Sequence, residues 1–247
     1  MRSLCGVIVV AATIAQAADS PSPPRLRVSL GAHYSTGDYG TSSPTDIFYL
    51  PLTVRTDIEQ WNLKLTIPYL RIHGGSGTVQ GRTAGGTADG LGDVLLRGAY
   101  AIPSHRAWMP FLEVAGLAKF PTASRTDGLG TGRYDFGIEA EASWVVQRFS
   151  PFVTVGYRFL GSSPSIHLHE AVVGSAGGQY RVTDNLDLGL LFDYRQAPST
   201  ASGERREVVP FLAFRWSTHW SVNAYGSAGF ADGSPDAGCG LELGYTL

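Results

Sequence analysis

From Trp61 to Tyr69 the chain alternates without a break: Trp61, Leu63, Leu65, Ile67 and Tyr69 share one side, and Asn62, Lys64, Thr66 and Pro68 the other. Period two is the repeat of a β-strand, and an apolar row bracketed by aromatic rings suits a strand that faces lipid with its ends at the two interfaces. The pattern recurs. Tyr134, Phe136, Ile138, Ala140, Ala142, Trp144 and Val146 oppose Asp135, Glu139, Glu141, Ser143 and Gln147, and Leu186, Leu188, Leu190, Phe192 and Tyr194 oppose Asp187, Asp193 and Arg195. No long helical period occurs anywhere. Beyond the first residues no segment approaches the ~18 apolar residues of a spanning helix, but a spanning strand needs only ~9 to 11, apolar at alternate positions.

Carried along the chain, this reading predicts strands near 26–35, 46–56, 61–70, 92–102, 109–120 and 134–147, then 151–160, 170–182, 186–196, 207–217, 220–230 and 237–247. The expected fold is all-β: a twelve-stranded antiparallel transmembrane β-barrel over residues 26–247. Strands 170–182 and 220–230 are rich in glycine and weakly amphipathic, so their inside and outside faces stay open at this point. The connections alternate in length. Those at 36–45, 71–91, 121–133, 161–169, 197–206 and 231–236 are longer and rich in Gly, Ser, Thr, Asp or Pro, whereas those near 57–60, 103–108, 148–150, 183–185 and 218–219 are mostly two to four residues. Long loops outside and short turns on the periplasmic side are the rule for bacterial barrels. The tryptophans Trp61, Trp108, Trp144, Trp216 and Trp220 fall at the short-turn ends, and Tyr34, Phe48, Tyr69, Phe120, Tyr134, Tyr194 and Phe230 mark the other, which predicts two aromatic girdles.

Upstream of the barrel, Arg2 precedes the uncharged run Leu4 to Ile14, and Ala15-Gln16-Ala17 offers the small residues of a signal cleavage site. The expected organisation is a signal peptide over 1–17, cleaved after Ala17, a periplasmic tail over 18–25, and then the barrel. Cys5 leaves with the signal, so Cys239 stands alone and no intramolecular disulfide forms. A net charge of −2 and only 16% charged residues carry no basic excess, which sets nucleic-acid partners aside.

Twelve strands spaced ~4.8 Å apart and tilted ~40° close a cylinder of ~12 Å radius. The alternation aims a mixed set of charges into it. Asp93, Arg97, Glu113, Lys119, Asp135 and Glu139 are candidate lining residues from the first half, and Glu141, Arg158, Asp187, Asp193, Arg195 and Arg215 from the second; Arg27, Arg55, Lys64 and Glu242 join them. The signs balance, so pairing among themselves is expected rather than selection of one ion sign. Leu95, Phe111, Leu117 and Phe152 also point inward, leaving room for a partly apolar passage.

Two segments carry a family likeness. Gly90-Leu91-Gly92-Asp93-Val94-Leu95-Leu96-Arg97-Gly98-Ala99-Tyr100 after Ile67-Pro68-Tyr69, and Phe120-Pro121-Thr122 followed by Gly130-Thr131-Gly132-Arg133-Tyr134-Asp135, resemble the MetA-pathway of phenol degradation family of transporter-like outer-membrane proteins. The likeness covers roughly residues 45 to 160. It implies passage of aromatic or other hydrophobic compounds across a Gram-negative outer membrane. By similar reasoning the terminal row Cys239, Leu241, Leu243, Tyr245 and Leu247 resembles the insertion signal read by the barrel assembly machinery, and outer-membrane lipid and lipopolysaccharide are expected neighbours.

Other chemistry is thin. His167-Leu168-His169-Glu170 puts two histidines on one face with no assured third ligand, and Asp89 and Asp93 flank glycines as turn residues do, so no metal or cofactor is expected. No Gly-x-Ser-x-Gly motif exists, and the histidines at 33, 73, 105, 167, 169 and 219 read mostly as loop or turn residues, so no catalytic residue is assigned. The expected function is passive passage of small, apolar or aromatic solutes, with the 71–91 and 121–133 loops as constriction candidates. The alternatives are a structural or adhesive barrel and an outer-membrane lipid hydrolase.

Overall fold

The computed structural model describes residues 25–40, 43–75, 85–103, 108–162, 167–200 and 202–247. The expected signal segment, the tail up to residue 24, and His105 lie outside these described residues. Among the described residues thirteen strands run in order: β1 (Arg25–Gly37), β2 (Thr45–Ile58), β3 (Trp61–Gly74), β4 (Gly86–Leu91), β5 (Val94–Ile102), β6 (Phe111–Phe120), β7 (Asp135–Ser143), β8 (Phe149–Phe159), β9 (Ala171–Arg181), β10 (Leu186–Arg195), β11 (Arg205–Arg215), β12 (Trp220–Gly229) and β13 (Ala237–Thr246). Chain neighbours pair antiparallel throughout except β4 and β5, which both pair with β3; β1 pairs with β13, and the sheet closes on itself. Closure leaves no free edge around the ring of β1–β3 and β5–β13, which is the condition for a sheet to sit in hydrocarbon, and among the described residues β4 pairs with β3 alone.

Strands β4 and β5 form one stave. Both pair with β3, β4 along its outer part (Tyr69↔Leu91) and β5 along its inner part (Thr66↔Leu95). Between them the β4–β5 side carries one residue more than β3 does, a β-bulge at Gly92-Asp93. The barrel therefore has twelve staves, as expected, but the fourth begins at Gly86 rather than 92, and the expected 71–91 loop shrinks to residues 75–85. Pro68 supplies the physical reason. It has no N–H to give the neighbouring strand, and its carbonyl accepts instead from Gly92 N at 2.8 Å, so the ladder is loosened where the extra residue enters. The bulge exchanges the faces: Ala88 points inward above it, and Asp93, Leu95 and Arg97 point inward below it. Pro51 lies opposite Pro68, and the β1–β2 ladder is interrupted, with its register unchanged, where Gly31 and Ala32 face Pro51 and Leu50.

Strand β7 also differs from expectation. It ends at Ser143, and the chain turns through Gln147 at φ 58, with Val146 and Phe149 bridged across the turn, so Gln147 is a turn residue rather than an inward one. Strands β9 and β12 take their sides from their partners. Gln179 and Asn223 are buried inside, and Tyr180 lies outside.

Burial is inverted relative to a water-soluble fold. On β10, Leu188, Leu190 and Phe192 are 45%, 55% and 40% exposed, while Asp187 between them and the β10 terminus is 4% exposed. Apolar rows of this extent on nearly every stave are stable only against hydrocarbon. Rings frame both rims: Trp61 on Tyr100 and Trp220 on Tyr245 at the short-turn end, Tyr34 on Phe48 and Phe120 on Tyr134 at the long-loop end.

Candidate functional site

The buried side of the wall carries polar residues beside two apolar clusters, and of the twelve candidate lining residues eleven are buried or half-buried, with Arg215 exposed at the end of β11. On β5 to β8, Arg97 Nη2 donates to Glu113 Oε1 at 2.5 Å and its Nε lies 3.6 Å from Glu139. Glu139 is shared with Arg158 from the far side, and Thr154 donates to Glu141 at 3.4 Å. Glycines make this possible: a Cβ at Gly137 would collide with the Arg158 side chain, and one at Gly156 with Glu139. Lower in the barrel Arg215 Nη1 donates to Asp187 at 3.0 Å, with Arg181 on the other oxygen at 3.5 Å. Asp193 lies 3.9 Å from Arg205, a residue that also pairs with the fully buried Glu207, and Arg195 continues the same inward row. Arg27 donates to Ser221 at 2.9 Å and faces Glu242 at 3.8 Å. Arg205 escaped the sequence reading because the strand that bears it begins two residues earlier than expected, and Glu207, the first residue of the expected strand, was not placed among the candidates although it shares the parity of Arg215.

One cluster is buried more deeply than the rest. Lys119 Nζ lies 3.2 Å from Asp93 and 2.7 Å from Asp135, and donates to Thr131 at 3.2 Å. Asp93 also accepts from Ala123 N at 3.0 Å, and Asp135 from Gly161 N at 2.9 Å. One cation thus ties β5, β6 and β7 to the two ends of the β6–β7 connection, residues 121–134.

That connection folds into the barrel mouth. Leu129, 1% exposed, packs with Tyr39, Ile47, Leu70, Ile72 and Ala123, against which Tyr49 and Ala88 also rest. Burying a leucine this fully contributes ~2 kcal/mol. Of the two loops expected to constrict, 121–133 packs Leu129 and Ala123 against residues of β2 and β3; of the other, residues 76–84 lie outside the described residues. Tyr39, in the β1–β2 connection, exchanges a hydrogen bond with Ser35 at 2.7 Å. Burial pushes its hydroxyl up to about 12, against the Ser35 bond, which lowers it. Its folded value is raised, so the stability it contributes is whole below pH 10 and is lost as pH rises through 12. A tyrosinate absorbance titration is expected to lose part of its late rise, the part near pH 12, in Tyr39→Phe.

A second apolar cluster lies deeper: Phe152, Leu191, Val209 and Phe211, with Tyr225 packed on it. Here too glycines give way to rings, since Cβ atoms at Gly177 and Gly189 would meet Phe152 and Phe211. The two clusters are joined by His33. Its ring lies 5.7 Å from Tyr49 and stacks on Tyr225 at 5.5 Å, and Nδ1 is hydrogen-bonded to the Tyr225 hydroxyl at 3.0 Å. His33, within the expected strand 26–35, sits inside β1 on the inward parity that Arg27 and Ser29 announce. His73 likewise lies within β3, on the outer wall, with Nδ1 2.7 Å from Thr87 Oγ1. A side chain at Gly189 must push the Phe211 ring off the wall. Gly189→Val is expected to cost ~1–3 kcal/mol by overpacking, read as a lower urea midpoint, and to slow apolar solute passage.

No family model matches the chain, and no curated protein matches it. Solved structures do. The chain is similar to the COG4313 outer membrane channel from Pseudomonas putida F1, with a TM-score of 0.72 at 14% identity over 94% of this chain and 98% of that one. It is similar to the NanC porin at TM-score 0.59 and 11% identity, over 88% and 97%. A KdgM porin in complex with disordered oligogalacturonate follows at 0.53 and 9%, over 88% and 98%. At such identities the likeness is one of fold.

Proposed function

We propose that the protein is a channel of a Gram-negative outer membrane, passing small apolar or aromatic solutes through the barrel interior. One observation carries this reading: an apolar track runs along the inner wall from the mouth cluster through Tyr49, His33 and Tyr225 to Phe211 and Phe152. Beside it the lining charges bind one another, so an uncharged solute meets rings and alkyl groups without having to strip an unpaired ion. The twelve candidate lining residues act in this reading as the scaffold that holds the track open rather than as an ion filter. The family likeness in residues 45 to 160 and the fold shared with outer-membrane channels support the same class. A cleaved signal segment, delivery by the barrel assembly machinery and a surround of lipopolysaccharide complete the proposal.

Intact Gram-negative cells expressing the full chain test it. Phenylnaphthylamine, an apolar dye that lipopolysaccharide excludes, is expected to enter several-fold faster than in cells without the barrel. Equal rates, with the barrel present in the outer-membrane fraction, contradict the proposal.

A further inference from the structure

We propose that the Leu129 seat at the outer mouth is a capture site for a small, uncharged, apolar molecule, and that the loop's leucine occupies it until such a molecule displaces it. This rests on the channel reading above and names where the solute is first bound. The first support is the origin of the seat. Ile47 on β2, Leu70 and Ile72 on β3 and Ala88 on β4 belong to the barrel wall, Tyr39 comes from the β1–β2 connection, and the β6–β7 loop contributes only Leu129 and Ala123. Lifting the leucine therefore leaves a finished apolar concavity on the wall. Of its side chains only the tyrosines carry a polar atom, and the Tyr39 hydroxyl already bonds Ser35. A ligand without hydrogen-bonding groups leaves nothing in it unsatisfied, and that selects the chemical class.

The second support is the build of the loop. Its head is a closed turn of its own, with Leu129 N donating to Ser124 O at 2.9 Å, Gly128 N to Arg125 O at 3.1 Å and Ser124 Oγ to Asp127 at 2.6 Å. Its ends are pinned independently. Thr122 is knitted to Gly92 O and Val94 N, Ala123 N is held by Asp93, and Thr131 is held by Lys119. Gly128 and Gly132 take φ 71 and 67, conformations other residues avoid, on either side of the leucine. The head can leave the seat as a unit while the pinned ends keep every bond. The third support is position: Tyr49 rests on the seat and passes the track on to His33, so a captured molecule stands at the head of the route.

The test uses the full chain in intact cells, with Leu129→Cys in a Cys239→Ser background and a membrane-impermeant maleimide added outside. Labelling is expected to be slow at rest and at least tenfold faster with saturating phenylnaphthylamine, while glycerol at equal concentration leaves it slow. As a second readout, Leu129→Ser, which weakens the occupant without touching the wall, is expected to raise the initial dye uptake rate several-fold, and Leu129→Phe to leave it near the parent value. Dye uptake by the parent chain with unchanged labelling and an unaltered Leu129→Ser rate overturns the capture site and leaves the channel standing. Accelerated labelling with no dye uptake does the reverse.

Discussion

Replacing Lys119 by methionine will unfold the barrel at markedly lower urea, a loss of ~3–5 kcal/mol, because it leaves two carboxylates buried without their cation. Asp93 is 1% and Asp135 8% exposed, and both face the Lys119 ammonium inside 3.3 Å. Methionine keeps the length and apolar stem of the side chain, so the loss reports the charge rather than a cavity. The triple change Lys119→Met, Asp93→Asn, Asp135→Asn removes the stranded charges as well and is expected to recover more than half of the loss. The urea midpoint of the detergent-solubilised barrel, followed by its heat-dependent migration on a gel, measures both. A midpoint unchanged in Lys119→Met would show that the cluster is not what ties the mouth together.

The second large effect separates two adjacent positions of β8. Val155 is 58% exposed on the outer wall, and Thr154 lies inside, bonded to Glu141. Arginine at Val155 enters the hydrocarbon and is expected to cost ~2–4 kcal/mol in a bilayer, the depth-dependent penalty of a lipid-facing cation. Arginine at Thr154 meets Glu141 and Glu113 across the register and should change stability by less than ~1 kcal/mol, in the range of partly solvated ion pairs. Equal costs at the two sites would mean that the wall does not separate lipid from a polar interior.

How much of this was legible depends on how loudly each stave alternates. Leu186 to Arg195 and Tyr134 to Ser143 state their own inside and outside, because apolar residues keep one parity while Asp187, Asp193 and Arg195, or Asp135, Glu139 and Glu141, keep the other. Gly174, Gly177 and Gly178 say nothing of the kind. The sides of β9 are set by Leu191 and Phe152 on its neighbours, which need the room that glycine leaves. The bulge was hidden for a similar reason: Gly90-Leu91-Gly92-Asp93 reads as the edge of a loop until Pro68, on the preceding stave, is seen opposite it. The ion pairs were foreseeable as a balance of signs but not as partners, since pairing follows a register that crosses strands. The aromatic track was the least legible part. His33, Tyr49, Tyr225 and Phe211 are far apart in the chain, and only the inward parity of each, once the strand boundaries are known, brings them to one wall.

The sidedness of the wall is what everything else requires, and spin labels on β7 measure it most directly. Single cysteines at Ile138, Glu139, Ala140 and Glu141, in a Cys239→Ser background reconstituted in bilayers, carry nitroxides whose relaxation by oxygen and by a water-soluble nickel chelate is compared. The account predicts strict alternation, with oxygen dominating at Ile138 and Ala140, and the chelate at Glu139 and Glu141. Accessibility that does not alternate, or that alternates in the opposite sense, would contradict it.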